Sequence, residues 1–317
     1  MRDVAWNRKW LQDLVALWNR ELEEEFPMRE VLFEQNSFQD VNVFKEGSQI
    51  VIDDKDKVVG FIVAKKWNDS VDVGIDPLTG WIQVLLVDSA YRKQGIGTKL
   101  LSLAESKLIE SGVNCIRLGK DTWHYFPGIP TPYKETAAWF EKRGYIRVGE
   151  EFDLDRHYKK ENDISIPKKE GVEVSILQPE EKEQLLEFLH HAFPGRWEYE
   201  AIKYFQLGGS GREFVVLKKN GKIIGFCRIN DSESPVIAQN VYWSPLYEGE
   251  LGGVGPLGID AKERKSGYGL FIVEAAIQHL RKRGVESIVI DWTGLVDFYK
   301  KLGYQICKSY YSFEKHL

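Results

Sequence analysis

The sequence has no long hydrophobic run and only three cysteines among its 317 residues. No stretch approaches the roughly 20 apolar residues that a transmembrane helix needs, and the N-terminal MRDVAWNRKWLQDL lacks the apolar core of a secretion signal. Cys115, Cys227 and Cys307 are odd in number, far apart and without a CxxC spacing, which disfavours a disulfide framework. We therefore expect a cytoplasmic protein, not bound to membranes, with buried reduced thiols.

The sequence also lacks a large excess of charge of either sign. The net charge is -5 with a pI near 5.8, so no global field favours nucleic acid or an anionic membrane. A basic stretch at 281–283 lies on a predicted helix end amid acidic residues, which gives little support to nucleic-acid binding. The sequence contains no GxxxxGK[ST], GxSxG or HExxH motif, so kinase, hydrolase and metalloprotease functions lose their usual support.

An internal repeat organises the chain. With 43% apolar residues the chain is large enough for two cores. Residues 87–118 align without a gap onto 259–290 at a constant offset of 172. The aligned residues include Arg92 with Arg264, Gly95 with Gly267, Gly97 with Gly269, Gly112 with Gly284, and Ile116 with Ile288. The order of elements is therefore predicted to be the same in both halves.

Each copy predicts a pair of strands followed by an amphipathic helix. The dipeptide Asn220-Gly221 indicates a two-residue hairpin, because both positions tolerate positive φ. Apolar residues then recur at helical spacing in 270–280 and 100–108, and Gly112 and Gly284 follow where helix C-caps are expected.

The polar segment 159–173, which contains Pro167, suits a linker between the copies. We place the boundary near residue 162, which predicts an N-terminal domain over 1–161 and a C-terminal domain over 162–317.

The motif Arg-x-x-Gly-x-Gly stands between a predicted strand and a predicted helix in both copies. Its glycines let the backbone come close to a ligand, and the free N–H groups of a helix N-terminus bind anions. Arg92 with Lys93 and Arg264 with Lys265 add cationic side chains. These features fit a pyrophosphate. The run at 253–258 also fits GxGxxG, but it contains Pro256 and leads into another apolar segment, so we expect it to be part of a strand.

These motifs, RKQGIG and RKSGYG, resemble the [RQ]-x-x-G-x-[GA] signature of the GCN5-related N-acetyltransferase (GNAT) family. The resemblance is strongest over 81–146 and 251–305. It implies an α/β fold of two tandem domains, each a mixed, mostly antiparallel sheet flanked by helices, and acetyl transfer from acetyl-CoA to a primary amine by direct attack. No metal is implied. It assigns the coenzyme to the strand ends and glycine loops: Leu86, Val87, Arg92, Lys93, Gln94, Gly95, Ile96, Gly97 and Thr98 in the first copy, and Leu257, Ile259, Arg264, Lys265, Ser266, Gly267, Tyr268, Gly269 and Leu270 in the second.

Direct transfer needs a base for the amine and an acid for the leaving thiolate. In the resembled family the acid is often a tyrosine before the last strands, and Tyr299 holds that position where the first copy has Phe140. We therefore expect the C-terminal copy to be catalytic, although Tyr299 also fits a plain amphipathic helix residue. Asp291 and Glu250 are candidate bases by position alone, and solvated carboxylates remain an alternative for both.

The first copy has a longer connection after its glycine loop: 52 residues separate Arg92 from Gly144, but only 39 separate Arg264 from Gly303. The extra segment is aromatic and contains His124, a candidate acceptor-site residue or base. Arg196 and Trp197 in the FPGRW run are further candidate acceptor contacts, and a packed turn is the alternative.

Another function class stays open: one or both copies bind or sense acyl-CoA without transferring the acyl group. The acceptor, a small-molecule or peptide amine, is not specified by the sequence. We expect a monomer with an internal pseudo-dimer, with a homodimer as the alternative.

Overall fold

The computed structural model describes residues 1–160 and 163–317. These residues form two compact units. Unit 1 comprises residues 1–70, 76–151 and 309–317, and unit 2 comprises 71–75 and 152–308. The predicted boundary between 161 and 162 lies outside the described residues, and the units are not the two halves of the chain. Each unit contains a segment from the other half, because strand pairing joins residues that are distant in sequence.

Thirteen strands and eight α-helices are present in the described part of the chain. The strands are β1 (Arg2–Ala5), β2 (Gln49–Ile52), β3 (Val58–Lys66), β4 (Thr79–Val87), β5 (Cys115–Leu118), β6 (Ile129–Pro130), β7 (Ile146–His157), β8 (Glu173–Ile176), β9 (Phe214–Lys219), β10 (Lys222–Asn230), β11 (Leu251–Ile259), β12 (Ser287–Thr293) and β13 (Gln305–His316). The helices are α1 (Leu11–Leu22), α2 (Glu30–Ser37), α3 (Ile96–Glu110), α4 (Lys134–Glu141), α5 (Lys182–Ala192), α6 (Arg196–Gln206), α7 (Tyr268–Lys282) and α8 (Val296–Lys300).

Unit 1 has a mixed, mostly antiparallel sheet. Strands β1 to β4 pair antiparallel in sequence order, and β4 then pairs parallel with β5. Residues 314–316 of β13 complete the sheet by pairing antiparallel with β5. Helix α3 packs on β3 and β4 through Leu100, Leu101 and Ala104, which are buried as their spacing predicted.

Unit 2 repeats this order. Strands β8 to β11 pair antiparallel, β11 pairs parallel with β12, and residues 152–157 of β7 pair antiparallel with β12. Helix α7 occupies the place of α3 and buries Ile272, Val273 and Ile277 against the sheet. The predicted fold class is therefore confirmed for both units.

Local predictions also hold. Asn220 and Gly221 connect β9 to β10 with φ of 50° and 74°, and residues 253–258 lie within β11. Gly112 and Gly284, with φ of 90° and 88°, follow the ends of α3 and α7.

The expectation of buried thiols is wrong for one cysteine. Cys115 and Cys227 are buried, but Cys307 is exposed, because β13 presents this part of its length to solvent. Within the described residues, no helix has the length and apolar character needed to cross a membrane.

Candidate active site

Two parallel strands separate at the centre of unit 2. The pairing of β11 with β12 runs from Leu251 to Gly253 and then stops. The next residues of β11 include Gly255, whose φ of +128° is open only to glycine. Asn240 donates a hydrogen bond to the Gly255 carbonyl at 3.3 Å and so supports the backbone at this point. A cavity of about 760 Å³ opens where the strands part.

The glycine loop of unit 2 borders this cavity. Gly267 precedes α7 with φ of +75°, and Lys265 is also left-handed, with φ of 68°. Arg264 folds back so that its Nε donates to the carbonyl of Ile259 at 3.1 Å. A Cβ added at Gly267 would stand 3.5 Å from the Lys169 ammonium nitrogen. The free N–H groups at the start of the helix and these cations therefore fit a pyrophosphate.

Unit 1 has the same loop beside a cavity of about 520 Å³. Gly95 and Lys93 are left-handed, with φ of 85° and 62°, and Arg92 Nε donates to the Val87 carbonyl at 3.0 Å. The loops differ in charge, because Arg92 forms an ion pair with the buried carboxylate of Glu21. This carboxylate offsets part of the positive charge that unit 1 offers to an anion.

Most of the predicted coenzyme residues line the two cavities. In unit 1 the exception is Gln94, whose side-chain amide approaches the Ala90 carbonyl at 3.5 Å, and in unit 2 the exception is Ser266. The remaining residues line the cavities: Leu86, Val87, Arg92, Lys93, Gly95, Ile96, Gly97 and Thr98 in unit 1, and Leu257, Ile259, Arg264, Lys265, Gly267, Tyr268, Gly269 and Leu270 in unit 2.

Asp291 and Tyr299 both line the cavity of unit 2. Burial raises the pKa of the Asp291 carboxyl to about 7; Asp153 acts in the same direction, and Arg196 opposes them. Tyr299 is 5% exposed, and burial raises the pKa of its hydroxyl, with Cys227 and Asp291 adding to the effect. A carboxyl that titrates near neutrality is suited to accept a proton, and a protonated phenol is suited to donate one.

The two other candidate bases lie elsewhere. Glu250 precedes β11, away from the cavity lining, and its carboxylate accepts the Ser232 N–H at 2.9 Å. His124 is buried in the long connection of unit 1, where its Nδ1 lies 2.9 Å from the Asp121 carbonyl. It does not line the cavity of unit 1. Sequence position alone did not predict where either side chain lies, because each location depends on how a loop packs.

Arg196 and Trp197 line the unit 2 cavity at the start of α6. The residues that contact or neighbour them in this cavity were not identified from the sequence. The Arg196 guanidinium lies over the Trp292 ring at 4.3 Å and donates to Glu200 at 2.8 Å. Gln239 also lines the cavity and donates to the same Glu200 oxygen at 3.1 Å. Only the i, i+4 spacing of Arg196 and Glu200 signalled this contact in the sequence.

Unit 1 differs from unit 2 at the two positions that carry the proposed chemistry. Gly119 aligns with Asp291, and Phe140 aligns with Tyr299. A Cβ at Gly119 would lie 2.0 Å from the Phe126 carbonyl oxygen, so the long connection of unit 1 occupies the space that an aspartate side chain needs. Phe140 is buried and packs against Trp139 and Tyr145.

Comparison with known proteins agrees with this geometry. The profile of the acetyltransferase (GNAT) family matches residues 11–126 and 182–304. The chain belongs to the acetyltransferase (GNAT) family. Its coenzyme is accordingly acetyl-CoA, and its reaction is transfer of an acetyl group to an amine. The two matched regions also confirm the tandem arrangement inferred from the repeat.

Three similar proteins illustrate the range of this family. The mycothiol acetyltransferase of Thermobispora bispora is 23% identical over 252 residues, which are 72% of this chain and 73% of that protein. A GCN5-related glucosamine N-acetyltransferase region of a fungal multi-domain GH3 β-N-acetylglucosaminidase is 25% identical with a TM-score of 0.87; the match covers 99% of this chain but only 38% of that one. A GCN5-related N-acetyltransferase from Sphaerobacter thermophilus is 15% identical with a TM-score of 0.73, covering 99% and 95%.

Proposed function

We propose that this protein acetylates the amino group of an amino sugar and that unit 2 carries out the transfer. The proposal rests on one observation. The glycine loop, the Asp291 carboxyl and the Tyr299 hydroxyl border the same cavity, whose wall also contains Arg196, Trp197, Gln239 and Trp292. In unit 1 the loop is present, but glycine and phenylalanine stand where Asp291 and Tyr299 would be needed.

The residues of unit 2 divide the proton transfers between them. Asp291, with a pKa of about 7, takes a proton from the acceptor ammonium and leaves a nucleophilic amine. Acetyl-CoA, when bound, supplies the activated thioester that this amine attacks. Tyr299 holds a proton for the sulfur of the departing thiolate. The N–H groups of the 264–269 loop, with Arg264, Lys265 and Lys169, hold the pyrophosphate.

The cavity wall supports an amino sugar as acceptor. Trp197 and Trp292 offer apolar ring surface, and Arg196 and Gln239 offer donors in fixed positions. Such a mixture of flat apolar surface and convergent polar groups suits a ring that bears several hydroxyls. The glucosamine N-acetyltransferase region described above matches nearly the whole chain, which adds support.

We further propose that unit 1 binds the coenzyme without transferring its acetyl group. Its loop has the left-handed glycine and lysine of unit 2, whereas its long connection fills the space beside Gly119. The chain then acts as a monomer that carries two coenzyme sites.

The test is an assay of coenzyme thiol release with acetyl-CoA and a panel of amines. We expect turnover with glucosamine and none with N-acetylglucosamine, which has the same ring but no free amine. Turnover of simple alkylamines or peptides without turnover of glucosamine would show that the acceptor class is wrong.

A further inference from the structure

A fully buried ion pair lies behind the part of the unit 2 cavity wall that contains Arg196 and Gln239. Arg228 on β10 is 1% exposed, and so is Glu200 on α6. The nearest approach of their charged groups is 3.6 Å, from Arg228 Nη1 to Glu200 Oε2. None of the three guanidinium nitrogens has a hydrogen-bond partner among the described residues. The Tyr204 and Phe214 rings lie 5.7 Å and 6.0 Å from the guanidinium.

This pair is a poor stabiliser of the fold. Removing a guanidinium from water without restoring its hydrogen bonds costs free energy, and an apolar side chain of similar size is often tolerated better. Burial accordingly lowers the pKa of Arg228, while Glu200 and Glu213 oppose that effect. Stability alone therefore does not explain why a charged residue stands at this position.

Glu200 connects the pair to the cavity. One of its carboxylate oxygens faces Arg228, and the other accepts hydrogen bonds from Arg196 at 2.8 Å and Gln239 at 3.1 Å. Arg196 and Gln239 both line the cavity, whereas Glu200 and Arg228 do not. The buried pair thus lies behind the two polar side chains that an acceptor would meet.

We infer that the Arg228–Glu200 pair is a positioning element that fixes Arg196 and Gln239 in the cavity wall and thereby sets the affinity for the acceptor. Its role rests on the proposed catalytic function of unit 2. Arg228 compensates the buried Glu200 charge, and Glu200 in turn holds two flexible side chains in one conformation before the acceptor arrives.

The same carboxylate also acts on Asp291. The charged and titratable groups that influence Asp291 are Asp153 from β7, Arg196 and Glu200 from α6, and Tyr299 from α8. The negative charge of Glu200 raises the pKa of Asp291. Replacing Glu200 by a neutral residue should therefore lower the pH at which Asp291 loses its proton.

The test is the variant Glu200→Gln, with Glu198→Gln as its matched control. Glu198 lies on the same helix and is 5% exposed, but its carboxylate contacts His190 at 2.8 Å instead of the cavity residues. With glucosamine and acetyl-CoA, we expect Glu200→Gln to raise the acceptor KM about tenfold, because a neutral amide oxygen accepts weaker hydrogen bonds from Arg196 and Gln239 than a carboxylate does. The acid limb of its pH profile should move to lower pH. Calorimetry should show unchanged acetyl-CoA affinity.

Two arginine variants complete the test. Arg228→Met should reproduce the rise in acceptor KM, and Arg228→Lys, which keeps the charge, should restore most of the wild-type value. Thermal unfolding shows whether Arg228→Met folds; if it does not, Glu200→Gln still decides the outcome.

Three results would overturn the inference. The first is an unchanged acceptor KM and pH profile in folded Glu200→Gln. The second is an equal effect of Glu198→Gln, since that would indicate general loosening of α6. The third is turnover in Gly267→Glu, which would show that unit 2 is not catalytic and would also overturn the proposed function. Loss of turnover in Gly267→Glu with unchanged Glu200→Gln kinetics would contradict the positioning role alone.

Discussion

Asp291 links the activity of this protein to its stability. Burial and nearby Asp153 raise its pKa in the folded protein from 3.8 to about 7. Because the folded-state pKa exceeds the unfolded one, the favourable contribution of the protonated carboxyl is complete below about pH 4 and is lost as the pH rises through about 7. Activity follows the opposite course, since only the ionised carboxylate accepts a proton from the acceptor.

The change Asp291→Asn separates these effects. We expect it to lower kcat by about a hundredfold or more through loss of the base. At pH 8 it should increase the free energy of unfolding by on the order of 2 kcal/mol, because a neutral amide avoids burial of the charge. Urea unfolding at pH 4 and pH 8 measures this; the gain should vanish at pH 4. An equal gain at both pH values would contradict the titration of Asp291.

The proposed role of Tyr299 as the acid is tested by removing its hydroxyl oxygen. Tyr299→Phe keeps the ring that packs against Phe298 and Tyr304, so the fold should be retained, and kcat should fall about a hundredfold through loss of the acid. Tyr304→Phe is the control, because Tyr304 is equally buried but does not line the cavity. Full turnover in Tyr299→Phe would show that another group protonates the thiolate.

At the scale of elements, the two glycine loops have one backbone geometry and different surroundings. Each pairs a left-handed lysine with a left-handed glycine before a 15-residue helix. Charge distinguishes them: Glu21 offsets part of the charge of Arg92 in unit 1, and Lys169 adds a cation in unit 2. Unit 2 should therefore bind the coenzyme more tightly than unit 1.

Calorimetric titration of acetyl-CoA into Gly95→Glu and Gly267→Glu tests both loops. Each change should weaken acetyl-CoA binding at its own unit about tenfold to a hundredfold, because a carboxylate enters the anion site. Only Gly267→Glu should stop turnover. Gly112→Glu and Gly284→Glu are matched controls, since these glycines are also left-handed, have open space around them and lie at the other helix ends. Unchanged binding in both loop variants would contradict the assignment of the coenzyme sites.

Much of each element was predictable from the sequence. The hairpin at Asn220-Gly221 and the helix ends at Gly112 and Gly284 depend on local φ preferences, and the buried face of α3 depends on local spacing. Glu250 and His124 could not be placed in this way. Each is held by a contact with a residue of a loop, Ser232 for Glu250 and Asp121 for His124, and no local rule specifies how such loops pack.

At the scale of the whole molecule, the units do not coincide with the halves of the chain. Unit 2 includes residues 152–160, and there Leu154 and Tyr158 join its hydrophobic core. Residues 152–157 also pair with β12. A cut at the predicted boundary would therefore remove a strand and two core side chains from unit 2.

Two fragments that differ only in residues 152–162 test the division. We expect residues 152–308 to unfold in a cooperative thermal transition, whereas residues 163–308 should aggregate or lack such a transition, because β12 is left as an open edge. Circular dichroism and size-exclusion chromatography distinguish these states. Equal transition temperatures for both fragments would show that residues 152–162 contribute nothing to the stability of unit 2.

The sequence by itself determined the tandem repeat, the order of elements in each copy, the two glycine loops and the family to which the chain belongs. These features are carried by residue spacing and local backbone preferences, which a single chain displays directly. Tertiary structure alone decided which segments complete each sheet, that Asp291 and Tyr299 share a cavity from which Glu250 is excluded, and that Arg228 and Glu200 lie behind its wall. Those facts arise from pairing and packing between residues far apart in sequence, where burial and charge rather than local preference fix the result.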